Sequence, residues 1–530
     1  MVQCSQRCAK IGRLPTRPDL RLCLQTTAVK SALETRVLPK LRSLESVMRP
    51  INRLPKDIFI LIPRFFTADF AKFPMNGPLI TMTHVCRSWR NVLLSTPSLW
   101  TQLDFSTPKS KEAVRFLGRS GNQLLNIFQL LESEDNVEPF LSTTLRNIYR
   151  LRRLEIDSYL PYPEPVLTRF TRSAPELRHL EITNNSHRTD RDAELHDTIF
   201  EGHLPKLTSL SLCAFRTNLR AFNFPSLRRF EFTTQTNMSI QDLTSFFRRC
   251  PSLEYIEIFL SYITQPPIVT PHERVRLAAL KELIIYQATH TPSLLDHFIL
   301  PKCTEVVLGG FGETPREGWP VAQIHPSSID HLPVTKGISK AVAMPSSCIF
   351  SGPNGNLKFW PSRRTREIFD ARFFTSFSPI SVLEIRELWV GPNSTSSRPF
   401  RRPWKQTAAG VHGAFRVLTK VEDLTIVSCG TEPFFSTLGA TVEDSVLLPG
   451  LRRLTIYVGC GELDVPALIQ CAKARKGHSR PLREVTVVFE EEPKVDLIQE
   501  VESLRESVEE LIHRIGEAPK LRVVEGTWGR

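Results

Sequence analysis

LRRLEI at 151–156 is followed by LRHLEI at 177–182, LTSLSL at 207–212, LRRFEF at 227–232, LEYIEI at 253–258 and LKELII at 280–285. Each phrase has the form Leu-x-x-Leu-x-Leu with Ile or Phe tolerated, and successive starts lie 20 to 30 residues apart. Alternation of apolar and polar residues is the pattern of a strand that turns its Leu and Ile side chains to a core and their neighbours to the opposite face. A period of this size marks a chain that stacks one small unit on the next, because one unit cannot bury its own apolar face. Looser copies stand at Cys303 (CTEVVL), Ile380 (ISVLEI), Val421 (VEDLTI), Leu451 (LRRLTI) and Leu482 (LREVTV), with a remnant at Leu521.

Between the phrases, TRFTRSAPELRHL (168–180) and TSFFRRCPSLEYI (244–256) both place Arg, a small residue and Pro just before the strand, and Pro recurs at 205, 225, 301, 449 and 519. Proline ends a helix and biases its predecessor to extended geometry. The arrangement resembles the leucine-rich repeat, which implies an α/β solenoid of short parallel strands joined by helices or turns. Repeats are expected over 151–308 and 380–490. GGFGETPREGWP, HPSSIDHLPVTKG and SGPNGN crowd Gly, Pro, Ser and Asn into 309–379, which reads as an insertion or loops within the solenoid. At the end, Leu497, Val501, Leu504, Val508, Leu511 and Ile515 step by four and three up to Gly516, so 491–530 is expected to be a capping helix and tail, with dimerisation through that seam the alternative.

Upstream, INRLPKDIFILIPRFFTADFAKFPMNGPLITMTHVCRSWRNVLLSTPSLWTQLDF (51–105) holds two apolar helical patterns around a Pro-rich insert. Pro55 and Asp57 suit a first helical turn. Ile58, Leu61 and Ile62 fall on one face of that short helix. Leu79, Met82, Cys86, Trp89 and Leu93 form one stripe of a second helix over 78–95, and Leu99 with Trp100 offers an apolar anchor beyond Pro97. Pro63, Pro74, Asn76, Gly77 and Pro78 mark the insert, near which Phe65, Phe66, Phe70 and Phe73 are expected to pack. The order Leu54-Pro55, then VCRSWR at 85–90, then PSLW at 97–100 resembles the F-box, although 54 to 85 is longer than a compact module needs. That resemblance implies a small helical bundle docking on a Skp-type adaptor, and through it a cullin, by way of Leu54, Pro55, Ile58, Leu61, Val85, Cys86 and Trp89. Leu99 and Trp100 are then the junction to the repeats. A two-helix piece of a larger core is the plainer alternative. Residues 106–150 read as a linker helix and first repeat, with Ala113, Val114, Phe116 and Leu117 packing back towards Trp100.

The chain has 530 residues, 41% hydrophobic and 23% charged, so more than one module is expected. No run of eighteen apolar residues occurs, and no membrane association is expected. The eleven cysteines lack metal-like spacing, which fits a reduced cytoplasmic or nuclear protein. Of the net charge of +13, residues 1–50 carry ten Lys plus Arg against Asp19, Glu34 and Glu45. That segment reads as a poorly ordered extension with a short helix around 28–47, a mitochondrial transit peptide being the minor alternative.

No catalytic, cofactor or metal motif stands up: G-x-S-x-G, H-E-x-x-H and the P-loop are absent, and Pro315 spoils GGFG at 309–312 as a dinucleotide turn. Alternation puts Glu155, Glu181, Ser211, Glu231, Glu257 and Glu384 in one outward row, and Arg153, His179, Ser209, Arg229, Tyr255 and Glu282 beside them. This is either a solvated charge mosaic or an acidic stripe that recognises a basic target segment, with Glu155, Glu181, Glu231, Tyr255 and Glu257 its contacts. Trp360, Arg363, Arg364 and Arg366, then Phe400, Arg401, Arg402, Trp404 and Lys405, interleave bases with aromatics as single-strand binders do, or anchor loops. The combined expectation is a non-catalytic substrate receptor of a cullin-RING ubiquitin ligase, monomeric within that complex, which holds a protein target and has no nucleic-acid partner. The rival is a repeat scaffold or RNA binder whose helical module is only a cap.

Overall fold

The structure, a computed structural model, describes residues 28–38, 50–68, 77–106, 110–134, 137–186, 192–264, 274–287, 294–311, 331–344, 347–361, 384–391, 408–427, 432–442, 445–458, 463–490, 492–493 and 495–516. The fold is mixed α/β with a large, mostly parallel sheet. The chain divides into two units, residues 1–155 and 156–530.

In the first unit, helices Lys56–Ala68 (α1), Gly77–Thr83 (α2) and Arg87–Leu94 (α3) precede a 3-10 turn at Pro97–Trp100. Strand Gln102–Asp104 (β1), helix Ser110–Arg119 (α4), strand Leu125–Leu131 (β2), helix Val137–Arg146 (α5) and strand Leu151–Ser158 (β3) follow, the unit boundary falling inside β3. β1 runs parallel to β2 with Gln102 opposite Asn126, and β2 also pairs with β3. Trp100 is fully buried; its Nε1 donates to the Leu93 carbonyl at 2.9 Å, its ring meets Phe116 edge-on at 4.8 Å, and the Arg119 guanidinium lies over it at 4.5 Å. Ala113 and Phe116 of α4 are buried as expected, whereas Val114 faces outward.

The single helix expected over 78–95 is two. Cys86 is extended at φ −157° and caps α3, its thiol accepting from the Trp89 N–H at 3.5 Å, while Arg90 Nε donates to the Thr83 carbonyl left open at the end of α2 at 2.8 Å. A cap on each side of the break offsets the lost helical bonds. α1 runs through Pro63 rather than stopping there, since one proline removes a single intrahelical bond, and Pro63 itself is buried.

In the second unit the strands of the large sheet are His179–Asn184 (β4), Ser209–Cys213 (β5), Arg229–Ser239 (β6), Tyr255–Thr264 (β7), Glu282–Gln287 (β8), Glu305–Phe311 (β9), Lys340–Met344 (β10), Ser347–Gly352 (β11), Gly355–Pro361 (β12), Glu387–Val390 (β13), Asp423–Val427 (β14), Arg453–Val458 (β15), Glu484–Phe489 (β16) and Glu510–Ile515 (β17). β4 to β9 pair in chain order, all parallel. Then β12 lies on β9, β11 on β12, β10 on β11 and β13 on β10, with β11 the one reversed strand; β13 to β17 again pair in order and parallel. Helices Ile240–Arg248 (α6), Ala408–Val417 (α7), Glu432–Leu438 (α8), Val465–Gly477 (α9) and Val495–Glu502 (α10) lie between strands in the chain.

The recurrent proline has a physical job. Leu177, Leu207, Leu227, Leu253 and Leu451 each donate their N–H to the carbonyl three residues back, closing turns whose second residue is Pro175, Pro205, Pro225, Pro251 or Pro449. Proline presets the φ this position needs. One residue further, the Arg178, Thr208, Arg228 and Glu254 carbonyls each accept two N–H groups from the next repeat, locking its register. Leu180, Leu210, Phe230, Ile256, Leu283 and Val306 then sit side by side and fully buried.

Three expectations fail here. The described part of 309–379 is a meander of β10, β11 and β12 rather than loops: SGPNGN is its tight turn, where Gly352 pairs with Gly355 across Pro353-Asn354. Of ISVLEI at 380, residues 380–383 lie outside the described residues; β13 begins only at Glu387, Ile385 and Leu388 are buried, and Glu384 lies before the strand, bonded to Lys420. The long C-terminal helix breaks after Glu502 into a 3-10 turn and β17, since pairing with β16 satisfies the backbone of Glu510–Ile515 that an isolated seam would have kept helical. Leu521 lies outside the described residues.

Candidate docking and recognition surfaces

α1 is apolar on two faces. Phe59 is buried and meets Trp89 edge-on at 4.8 Å, which ties α1 to α3. On the other face Ile58, Leu61 and Phe65 are 47%, 53% and 66% exposed, continuing a line that begins at Leu54, 37% exposed. The spacing of four, three and four keeps these residues on one stripe. Val85, 57% exposed at the break between α2 and α3, and the exposed Pro55 add to the apolar surface of this unit. A helix apolar on both sides with only one side covered presents an interaction surface.

The predicted docking set is therefore divided. Leu54, Pro55, Ile58, Leu61 and Val85 are accessible, whereas Cys86 and Trp89 are half-buried and used within the bundle as cap and packing partner. Leu99 and Trp100 are sealed in the core of the first unit. Phe65 extends the accessible stripe; its distance of four residues from Leu61 was the signal, overlooked because the helix was expected to end at Pro63 and Phe65 to pack with the insert. Phe70 and Phe73 lie outside the described residues.

On the sheet of the second unit, register lines up His179, Ser209, Arg229, Tyr255, Glu282 and Glu305 in one row and Glu181, Ser211, Glu231, Glu257, Ile284 and Val307 in the next. The rows are as expected, but the carboxylates are engaged by partners two residues back on their own strands. His179 faces Glu181 at 3.3 Å, Arg229 bonds Glu231, and the Tyr255 hydroxyl donates to Glu257 at 2.5 Å. In the first unit Arg153 likewise bonds Glu155. Glu155 and Glu257 are also buried, so neither is an accessible contact. Burial and Glu257 push the Tyr255 hydroxyl upward, and its ring carries the Arg229 guanidinium at 3.8 Å. Each of these carboxylates thus has a donor on its own strand, an arginine for Glu155 and Glu231, a histidine for Glu181 and a neutral hydroxyl for Glu257, which makes the rows a mosaic of local pairs. Glu282 stands apart: burial, then Glu305, raises its carboxyl above the ordinary value.

Beyond Glu257 the second row turns apolar. Ile284, Tyr286 and Val307 cluster with Tyr255 and Phe259, and Val342, Met344 and Ile349 cluster with Trp389. Phrases such as LKELIIY and CTEVVL, with few polar alternates, carried that signal. The basic and aromatic runs at 363–366 and 400–405 lie outside the described residues. Among the described residues no helix is long and apolar enough to cross a membrane. Compared with known proteins, the chain matches no family model and no curated protein.

Proposed function

We propose that this chain is the substrate receptor of a Skp–cullin–F-box ubiquitin ligase. Its first unit acts as an F-box that holds a Skp-type adaptor, and its second as a leucine-rich-repeat-like solenoid that holds a target protein. The observation that carries this reading is the exposed stripe of Leu54, Ile58 and Leu61 on a helix whose opposite face is already packed. Such a stripe meets the apolar helices of another protein at a hydrophobic gain of about 25 cal/mol per Å² covered. The receptor makes no covalent bond; it raises the effective concentration of target lysines at the charged E2 enzyme. The parallel rows of the second unit support the other half of the reading, because register-locked strands present a broad, ordered face.

The test is co-purification of full-length chain with a Skp-type adaptor. Ile58→Asp with Leu61→Asp should abolish capture while the circular-dichroism melt stays that of the wild type, since both side chains lie outside the core. Retained capture by a normally folded double variant sinks the assignment.

A further inference from the structure

In the second unit, the turns before β5, β6 and β7 and the residues leading into β4 to β6 enclose a notch of about 390 Å³ lined by Arg178, Lys206, Thr208, Ser226, Arg228 and Ser252. Its floor is fixed. The Thr208 hydroxyl donates to the Arg178 carbonyl at 2.9 Å and the Ser226 hydroxyl to the Pro205 carbonyl at 3.0 Å. The cations outnumber their partners: Lys206 reaches Glu176 at 2.6 Å, while Arg228 at 3.2 Å and Lys281 at 2.5 Å share Glu254. Among the described residues no carboxylate or carbonyl engages the Arg178 guanidinium or the Ser252 hydroxyl, so the lining of the concavity holds two unengaged donors.

We infer that this notch binds the dianionic phosphate of a phosphorylated side chain. The role in capturing a ligase target rests on the receptor reading above; the binding itself does not. Two guanidiniums and an ammonium around a single concavity suit a group with two charges and three acceptor oxygens, and arginine meets such a group with paired N–H donors. A nucleic-acid backbone fits worse. Glu176 on one side and Glu254 on the other interrupt the positive surface within one repeat, so the cations form a point and not the track that a phosphodiester chain follows.

The probe is O-phospho-L-serine titrated calorimetrically into the full chain, with L-serine and a single-stranded oligonucleotide as parallel arms. Saturable binding of phosphoserine, none of serine, a loss of at least about tenfold in Arg178→Glu with Arg228→Glu, and no change in Arg416→Glu on α7 are expected. Arg178→Gln, a milder change, should weaken binding several-fold and carries the test if the double variant does not fold. Equal binding by wild type and Arg178→Gln, or no saturable phosphoserine binding, overturns the proposal. So does salt-sensitive oligonucleotide binding that phosphoserine does not displace. Adaptor capture measured on the same variants separates the two ideas: lost phosphoserine binding with capture intact upholds the notch, and retained phosphoserine binding in a chain that never captures adaptor removes only the receptor reading.

Discussion

The guanidinium of Arg475, fully buried on α9, donates from Nη2 to the carbonyl of Leu448 at 2.9 Å, and Leu448 is held at a φ of 50°. Nη1 donates to the neighbouring Leu447 carbonyl at 2.8 Å, so one side chain satisfies the turn that feeds β15. Burial lowers the guanidinium's pKa, yet the bonds need the charged fork. Arg475→Met fills similar space but leaves the buried Leu447 carbonyl without its donor and the Leu448 carbonyl with the Leu451 N–H alone, so it should cost about 1–3 kcal/mol, read by urea unfolding. A loss below about 1 kcal/mol would show that water replaces the guanidinium.

Trp100 closes the core of the first unit, and its indole N–H also satisfies the Leu93 carbonyl at the end of α3. Trp100→Ala should destabilise that unit by about 3–5 kcal/mol. Limited proteolysis after the substitution should cut first within residues 77–131, whereas the parallel ladder of the second unit keeps its protection.

Gly355 begins β12 at a φ of 130°, and a Cβ there would collide with the Thr304 carbonyl oxygen. That carbonyl accepts the Asn356 N–H at 2.8 Å and starts the pairing of β12 with β9. Gly355→Ala meets both conformational strain and a backbone clash, and a loss of at least about 2 kcal/mol is expected in chemical denaturation.

Glu282 provides a pH test. Its carboxyl is raised by burial and by Glu305, so the folded chain holds that proton more tightly than the unfolded one. Ionisation therefore costs stability above the folded pKa, and the cost fades as pH falls through that value and below the unfolded one, 4.5. Glu282→Gln should raise the melting temperature near neutral pH, with the gain shrinking towards zero in acid. A gain that does not depend on pH would point to packing instead.

Much of the ladder was legible because two signals agree in the repeats that open at Leu177, Leu207, Leu227, Leu253, Cys303 and Leu451: the alternating phrase and a proline two residues before it. LRHLEI and LRRFEF become the cores of β4 and β6 at the predicted register. The Arg-small-Pro signature was visible before its reason was: Arg249 donates to the Phe222 and Leu219 carbonyls at 3.0 and 2.8 Å, bracing the loop one repeat back. Long-range pairing was not legible. Nothing local in residues 508–515 shows that β16 waits beside them, and the same apolar spacing serves a helix until that neighbour is known. Likewise Cys86 interrupts a helical stripe by capping, which periodicity cannot register. On the candidate docking surface, spacing found Ile58 and Leu61 and the F-box resemblance added Leu54, but only the folded bundle separates these from Trp89, which packs inward.

The meander has a consequence for how the second unit assembles. Adjacent repeats on either side can zip in chain order, each new strand finding its neighbour already in place. At β10 the order fails: the chain passes β9 to the far side of the meander, and β11 and β12 lead back to pair against β9. Three strands of alternating direction are also what allows the later repeats to keep the earlier direction, since two would have turned every subsequent strand around. The ladder is thus two chain-ordered runs, and the pairing of β12 with β9 is the contact that splices one to the other.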